Sequence, residues 1–210
     1  GEIHTAFLPN AYRLNASIVG SGLIQSSSTR VEFNTGDRVS LTAVPSDSQR
    51  FVRWTGDTTT TNPVLEVVFG ARDVNIVANF ERIPQFALAV AVVGTGTVLR
   101  SPNQSSFLQG ASVTLTAQPG IEQRFVGWTG DTISTNPTLQ YTFWSRGLNV
   151  VANFEPIPRY DLVVAKVGTG TVYRSPNQTS FLQGTSVYLS AEPGFEQRFI
   201  GWTGDTATAN

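Results

Sequence analysis

Cysteine and methionine are absent from the chain, and histidine occurs once, as His4. Without cysteine there are no disulfides, no thiolate metal sites and no thiol nucleophiles. One imidazole leaves little for histidine-based catalysis, and no Ser-His-Asp set can be assembled around a histidine in the first few residues. Charge is scarce too. The 210 residues carry 14 basic and 15 acidic side chains, a formal net charge of −1, so the long-range attraction behind non-specific nucleic-acid binding is missing. No apolar run approaches the roughly 18 residues of a membrane-spanning helix. Glycine (19) and proline (11) punctuate the whole length, which argues against a long helical bundle.

What the chain does have is a repeat. Shifted by 74 residues it aligns with itself without a gap, and 36 of the 51 residues from 86 to 136 match their partners at 160 to 210. Gly94-Thr95-Gly96-Thr97-Val98 returns as Gly168-Thr169-Gly170-Thr171-Val172, and more loosely as Gly20-Ser21-Gly22-Leu23-Ile24. Arg124-Phe125-Val126-Gly127-Trp128-Thr129-Gly130-Asp131 matches Arg198-Phe199-Ile200-Gly201-Trp202-Thr203-Gly204-Asp205, and the first copy reads Arg50-Phe51-Val52-Arg53-Trp54-Thr55-Gly56-Asp57. A fixed period of this length is the mark of a tandem array. The expected division is 1–11 as the last strand of a preceding or neighbouring unit plus a linker, then repeats at 12–85 and 86–159, then a partial repeat at 160–210. Each full repeat is expected to close its own small core.

Within a repeat the periodicity is 2. Tyr12, Leu14, Ala16 and Ile18 alternate with Arg13, Asn15 and Ser17, as a strand with one buried face requires. Val113 to Ala117, Phe125 to Trp128, Leu139 to Phe143 and Leu148 to Phe154 read as further strands. The Gly-x-Gly segment reads as the tight turn of a hairpin between the first two strands. This predicts an all-β unit of six short strands, β-grasp-like or a compact sandwich, with at most one helical turn near Asn136-Pro137. The linkers Glu81-Arg82-Ile83-Pro84-Gln85 and Glu155-Pro156-Ile157-Pro158-Arg159 hold prolines that stiffen them.

The combination of an aromatic-x-Leu strand, Gly-x-Gly-x-Val, Ser-Pro, Phe-x-Gly-Trp-x-Gly-Asp, Asn-Pro and a closing Val-x-Ala-x-Phe resembles the divergent internalin B-repeat family. The first copy departs from it at Arg53 and Ser28, where the second has Gly127 and Pro102. The resemblance implies bacterial secreted or cell-surface proteins, with repeats as spacers or adhesive modules. It also implies a β-rich unit like a small β-grasp sheet, and it brings no catalytic residues.

Few side chains invite chemistry. Asp57, Asp131 and Asp205 recur, but calcium needs six to eight oxygens and each Asp stands among threonines. A glycosidase needs a second carboxylate, and the first copy has Ser48 where the others have Glu122 and Glu196. The expected role is a turn whose carboxylate bonds nearby backbone N–H groups. Trp54, Trp128 and Trp202 read as core, and Arg124 and Arg198 as partners of the Glu two residues earlier. Trp144 differs, because the first repeat has Gly70 there. With Arg146 it forms a candidate interaction tip.

Ile3-His4-Thr5-Ala6-Phe7 matches Ile76-Val77-Ala78-Asn79-Phe80, one residue out of register. Two readings follow. The chain is a window of a longer array, or it is a subunit whose Ile3, Thr5 and Phe7 complete a neighbour's third repeat by strand donation. Neither a cofactor nor a metal is expected. The function expected is a non-enzymatic structural protein of a bacterial surface or extracellular filament. Its partners would be neighbouring repeats or identical subunits head to tail. The alternative is a glycan- or protein-binding adhesin module that gains avidity by repetition.

Overall fold

A computed structural model describes residues 11–205. The first repeat forms seven strands: β1 (Tyr12–Val19), β2 (Gly22–Ser26), β3 (Glu32–Phe33), β4 (Arg38–Pro45), β5 (Gln49–Gly56), β6 (Val64–Val68) and β7 (Val74–Arg82). The second repeats them as β8 (Gln85–Val93), β9 (Gly96–Ser101), β10 (Ser106–Leu108), β11 (Ser112–Pro119), β12 (Gln123–Gly130), β13 (Thr138–Thr142) and β14 (Leu148–Pro156). The third contributes β15 (Arg159–Asp161), β16 (Gly170–Ser175), β17 (Ser180–Leu182) and β18 (Tyr188–Pro193). No helix occurs among the described residues, so none is long and apolar enough to cross a membrane. At Asn136, in place of a helical turn, the side-chain Oδ1 accepts the Thr138 N–H at 2.9 Å.

Seven strands replace the expected six. The additional one, β3 with its counterparts β10 and β17, is two or three residues long, too short for alternation to register. It is held by one side chain, since Phe33, Phe107 and Phe181 are all buried. Phe33 stacks on Phe69 at 4.3 Å between centroids, and Phe107 on Phe143 at 4.5 Å.

The strands of the first repeat make two sheets, one of order β3-β1-β7-β5 and one of order β2-β4-β6. The middle pair of the larger sheet is parallel, with Leu14 opposite Val74, Ala16 opposite Ile76 and Ile18 opposite Ala78. β1 and β2 therefore do not form the expected hairpin; the Gly-x-Gly turn carries the chain from one sheet to the other. Its glycines answer to crowding as well as to φ. A Cβ on Gly20 (φ +88°) would lie 2.2 Å from the Phe80 carbonyl oxygen, and one on Gly94 (φ +83°) 2.1 Å from that of Phe154.

The core of the first repeat lies between its two sheets. Val39, Leu41 and Ala43 come from β4, Trp54 from β5, Leu65 and Val67 from β6, and Ile76, Ala78 and Phe80 from β7. All belong to that repeat. In the second repeat Val113, Leu115, Ala117, Trp128, Val150, Ala152 and Phe154 are buried at the shifted positions. In the third, Val187, Leu189, Ala191 and Trp202 are only half-buried, and β16 pairs with β18 alone.

By Cα proximity the chain groups into two compact units. One holds residues up to 87 with 105–112 and 142–147; the other holds 88–104, 113–141 and 148 onward. Both joints between repeats, at 81–85 and 155–159, fall inside a unit.

Substituting Gly94→Ala forces a backbone oxygen to move and is expected to cost about 2–4 kcal/mol. Gly36→Ala has φ +91° but nothing within 4 Å of the new Cβ, so it is expected to cost about 1–2 kcal/mol. Urea midpoints of the two variants check the order; equal losses would refute the crowding argument.

Candidate functional site

The recurring Phe-x-x-Trp pair has the wrong spacing for one face of a regular strand, because residues three apart point to opposite sides. The structure resolves this with a β-bulge in the first two copies, where the register shifts between Phe51 and Arg53 and between Phe125 and Gly127. One extra residue re-aims the following side chain. Phe51 and Trp54 then share the core side at 5.6 Å between rings, and Phe125 and Trp128 at 5.5 Å. Trp54 and Trp128 are both 0% exposed. Their indole N–H groups donate to the Pro63 carbonyl at 3.3 Å and the Asn136 carbonyl at 3.0 Å. They are core residues, not platforms for a sugar.

The acidic residues of the same motif act over a longer range than a turn. Asp57 Oδ2 accepts the backbone N–H of Asn75 at 2.7 Å, and the Asp57 N–H donates back to the Asn75 carbonyl at 2.9 Å. Asp131 and Asn149 repeat the exchange at 2.7 and 2.8 Å. Each Asp thus ties the end of its strand to the start of the last strand, 18 residues on, rather than closing its own turn. Arg72 adds an ion pair to Asp57 Oδ1 at 2.9 Å. The Asn75 backbone N–H, aided by the Arg72 guanidinium and opposed by desolvation, holds the Asp57 carboxyl below its usual value of 3.8. Asp205 is exposed. Both carboxylate oxygens of Asp57 are thus engaged within its own repeat.

Arg50 and Arg124 do not pair within their own strands. They pair across to Glu81 and Glu155, their register partners on β7 and β14. Glu122, the partner expected for Arg124, instead meets Arg159 at 2.6 Å. An open cleft of about 420 Å³ brings Asp57, Glu66 and Arg72 to one edge of the first repeat, but Glu66 is paired with Arg38 at 2.9 Å and Asp57 as described.

Trp144 is 64% exposed. Its backbone matches that of Gly70. The Gly110 N–H reaches the Phe143 carbonyl at 2.7 Å, as the Gly36 N–H reaches Phe69 at 2.8 Å. Gln109 Nε2 donates to the Trp144 carbonyl at 2.8 Å where Thr35 Oγ1 donates to Gly70 at 3.2 Å. The tip therefore folds without an indole, and the ring is additional to what the unit needs. Arg146 is exposed and stands, by the shift of 74, at the position of Arg72. Ile3, Thr5 and Phe7 lie outside the described residues.

Sequence reasoning missed the Asn75 and Asn149 partners and Arg72. Their signal was available: all three recur or align at the shift of 74, yet only contacts across the fold show what they hold.

An all-β tandem array, with the first two copies of the motif spent on closing a bulged strand and clamping its end, defines a repeat protein. A family model described as the divergent InlB B-repeat domain matches residues 12–84, 86–158 and 160–210, and the chain belongs to that family. The family is a repeat domain typical of bacterial surface proteins. No curated protein matches the chain.

Two variants separate core from tip. Trp128→Ala is expected to cost about 3–5 kcal/mol, and Trp144→Ala to stay within about 0.5 kcal/mol of the parent; urea midpoints decide.

A third prediction concerns pH. The folded pKa of Asp57 is below its unfolded value, so its contribution is full above about pH 3.8 and is lost as pH falls through the folded value. Asp57→Asn should therefore lower the urea midpoint at pH 7, and the gap to the parent should narrow in strong acid. A constant gap would refute the linkage.

Proposed function

We propose that the chain is a non-enzymatic stretch of a bacterial cell-surface or extracellular filament protein, whose linked repeats serve as a semi-rigid spacer. The observation that carries this is where the recurring side chains are spent. Trp54 and Trp128 fill the interior, Asp57 and Asp131 clamp strands, and Arg50 and Arg124 pair across strands. What returns every 74 residues is therefore the means of closing a unit. An abundance of Ser, Thr, Asn and Gln with almost no net charge suits a spacer exposed to varied ionic conditions, and the lack of sulfur side chains removes the groups most open to oxidation. The partners in this reading are neighbouring repeats or identical chains head to tail.

A second reading has one observation in its favour. The exposed Trp144 stands on a turn that the first repeat builds with glycine, which fits an adhesin tip contacting a glycan or a protein.

The tests are direct. In the producing bacterium an antibody against the chain should label intact cells, and protease shaving should remove the signal; an epitope reached only after lysis would overturn the surface role. On a glycan or protein array, the spacer predicts no signal that depends on Trp144. Capture lost in Trp144→Ala would establish the adhesin instead.

A further inference from the structure

The two joints between repeats are built alike and armed differently. Each has an Ile-Pro pair. The residue before proline is held extended, and proline offers a carbonyl but no N–H. A free tether would leave these groups to water. Here the Ile83 N–H donates to the Ser48 carbonyl at 2.9 Å, and the Pro84 carbonyl accepts the Gln109 N–H at 2.8 Å. At the second joint the Ile157 N–H donates to the Glu122 carbonyl and the Pro158 carbonyl accepts the Gln183 N–H, both at 2.8 Å. Each linker is thus bonded backward to the repeat it leaves and forward to the repeat it enters.

The backward acceptors share a conformation. Ser48 (φ 63°) and Glu122 (φ 57°) both lie in the left-handed region, which side chains other than glycine rarely enter. That conformation belongs to the turn before β5 and β12, whose carbonyl meets the linker. Ile83 and Ile157 are half-buried beside it.

The difference is electrostatic. Arg159 reaches Glu122 with Nη2 to Oε1 at 2.6 Å and Nε to Oε2 at 3.4 Å, and its Nη1 donates forward to the Ser180 carbonyl at 3.4 Å. It clips across the joint. The first joint has Ser48 and Gln85 at these positions, and Gln85 reaches only forward, to Ser106 Oγ.

We infer that each Ile-Pro joint is a hydrogen-bonded latch rather than a tether, and that the Arg159–Glu122 pair makes the second latch alone tighter and sensitive to salt. The array is then graded in stiffness along its length, and ionic strength sets the grade. This adds a regulatory property to the spacer reading and rests on that reading only for its use. The test below reads the joint itself, so either idea can fail without the other.

Amide hydrogen exchange of the full chain, read by NMR at about 20 mM and about 1 M NaCl, decides it. At 1 M the screening length is about 3 Å. The Ile83, Gln109, Ile157 and Gln183 amides should exchange far more slowly than free chain. Ile157 should lose about two- to five-fold of its protection at high salt, as an exposed pair of this kind allows, while Ile83 holds steady. Glu122→Gln and Arg159→Gln at low salt should each reproduce the loss, with the Trp128 amide as the control for an intact repeat. Free-chain exchange at Ile83 and Ile157 would overturn the latch. Equal responses of the two to salt would overturn the clip.

Discussion

Burying an indole in each of the two complete repeats is the requirement from which the rest of the unit follows. Trp54 and Trp128 are the largest fully buried side chains, and an indole can be buried only if its N–H finds an acceptor. The bulge turns the ring inward beside Phe51 or Phe125. The segment after the strand must then fold back, because it supplies the carbonyl of Pro63 or Asn136. In folding back it also places the Thr60 or Ser134 carbonyl against the Trp backbone N–H, covering an edge that would otherwise invite pairing with another chain. The Asp clamp fixes where that segment begins. One buried ring thus accounts for the bulge, the loop, the protected edge and the recurrence of Trp-Thr-Gly-Asp.

Charge plays the opposite part. The ion pairs of Arg50, Arg124 and Arg159 are exposed, each arginine being about half accessible. Pairs of that kind contribute about 0–1 kcal/mol and weaken with salt. The fold does not rest on them; it rests on apolar burial and on backbone groups satisfied across strands. Exposed pairs matter where the structure is already near balance, and a linker between repeats is such a place.

Much of this was legible in the sequence, and the remainder was hidden for a physical reason. Alternation and period showed the repeats, the strands and the buried tryptophans, since those signals are local. The short strand at Phe33 was invisible because two or three residues are too few for alternation to register. The passage from sheet to sheet at Gly20 and Gly22 read as a hairpin because the close approach of Phe80 comes from 60 residues away. Likewise Asp57 looked like a turn residue until Asn75 was seen opposite it. Spacing within a strand cannot reveal a partner on another, which is also why Arg124 was assigned to Glu122 rather than to Glu155.

Comparing the repeats with one another separates construction from use. Positions that stay the same, such as the tryptophans, the clamp and the Gly-x-Gly passage, are consumed inside the unit. Several of those that change lie at tips, joints and outer faces, while changes inside stay apolar or small, as from Ile76 to Val150. Gly70 becomes Trp144 at an exposed tip, Arg53 becomes Gly127 at the bulge, and Ser48 and Gln85 become Glu122 and Arg159 at the joint. The outward side of the first strand changes as well, from Arg13, Asn15 and Ser17 to Ala87, Ala89 and Ala91. A fold that reserves its invariant residues for closure leaves these positions free to differ without loss of stability. Specificity can therefore accumulate repeat by repeat on tips, faces and joints, while the interior tolerates only apolar exchanges such as Ile76 to Val150 and keeps its tryptophan.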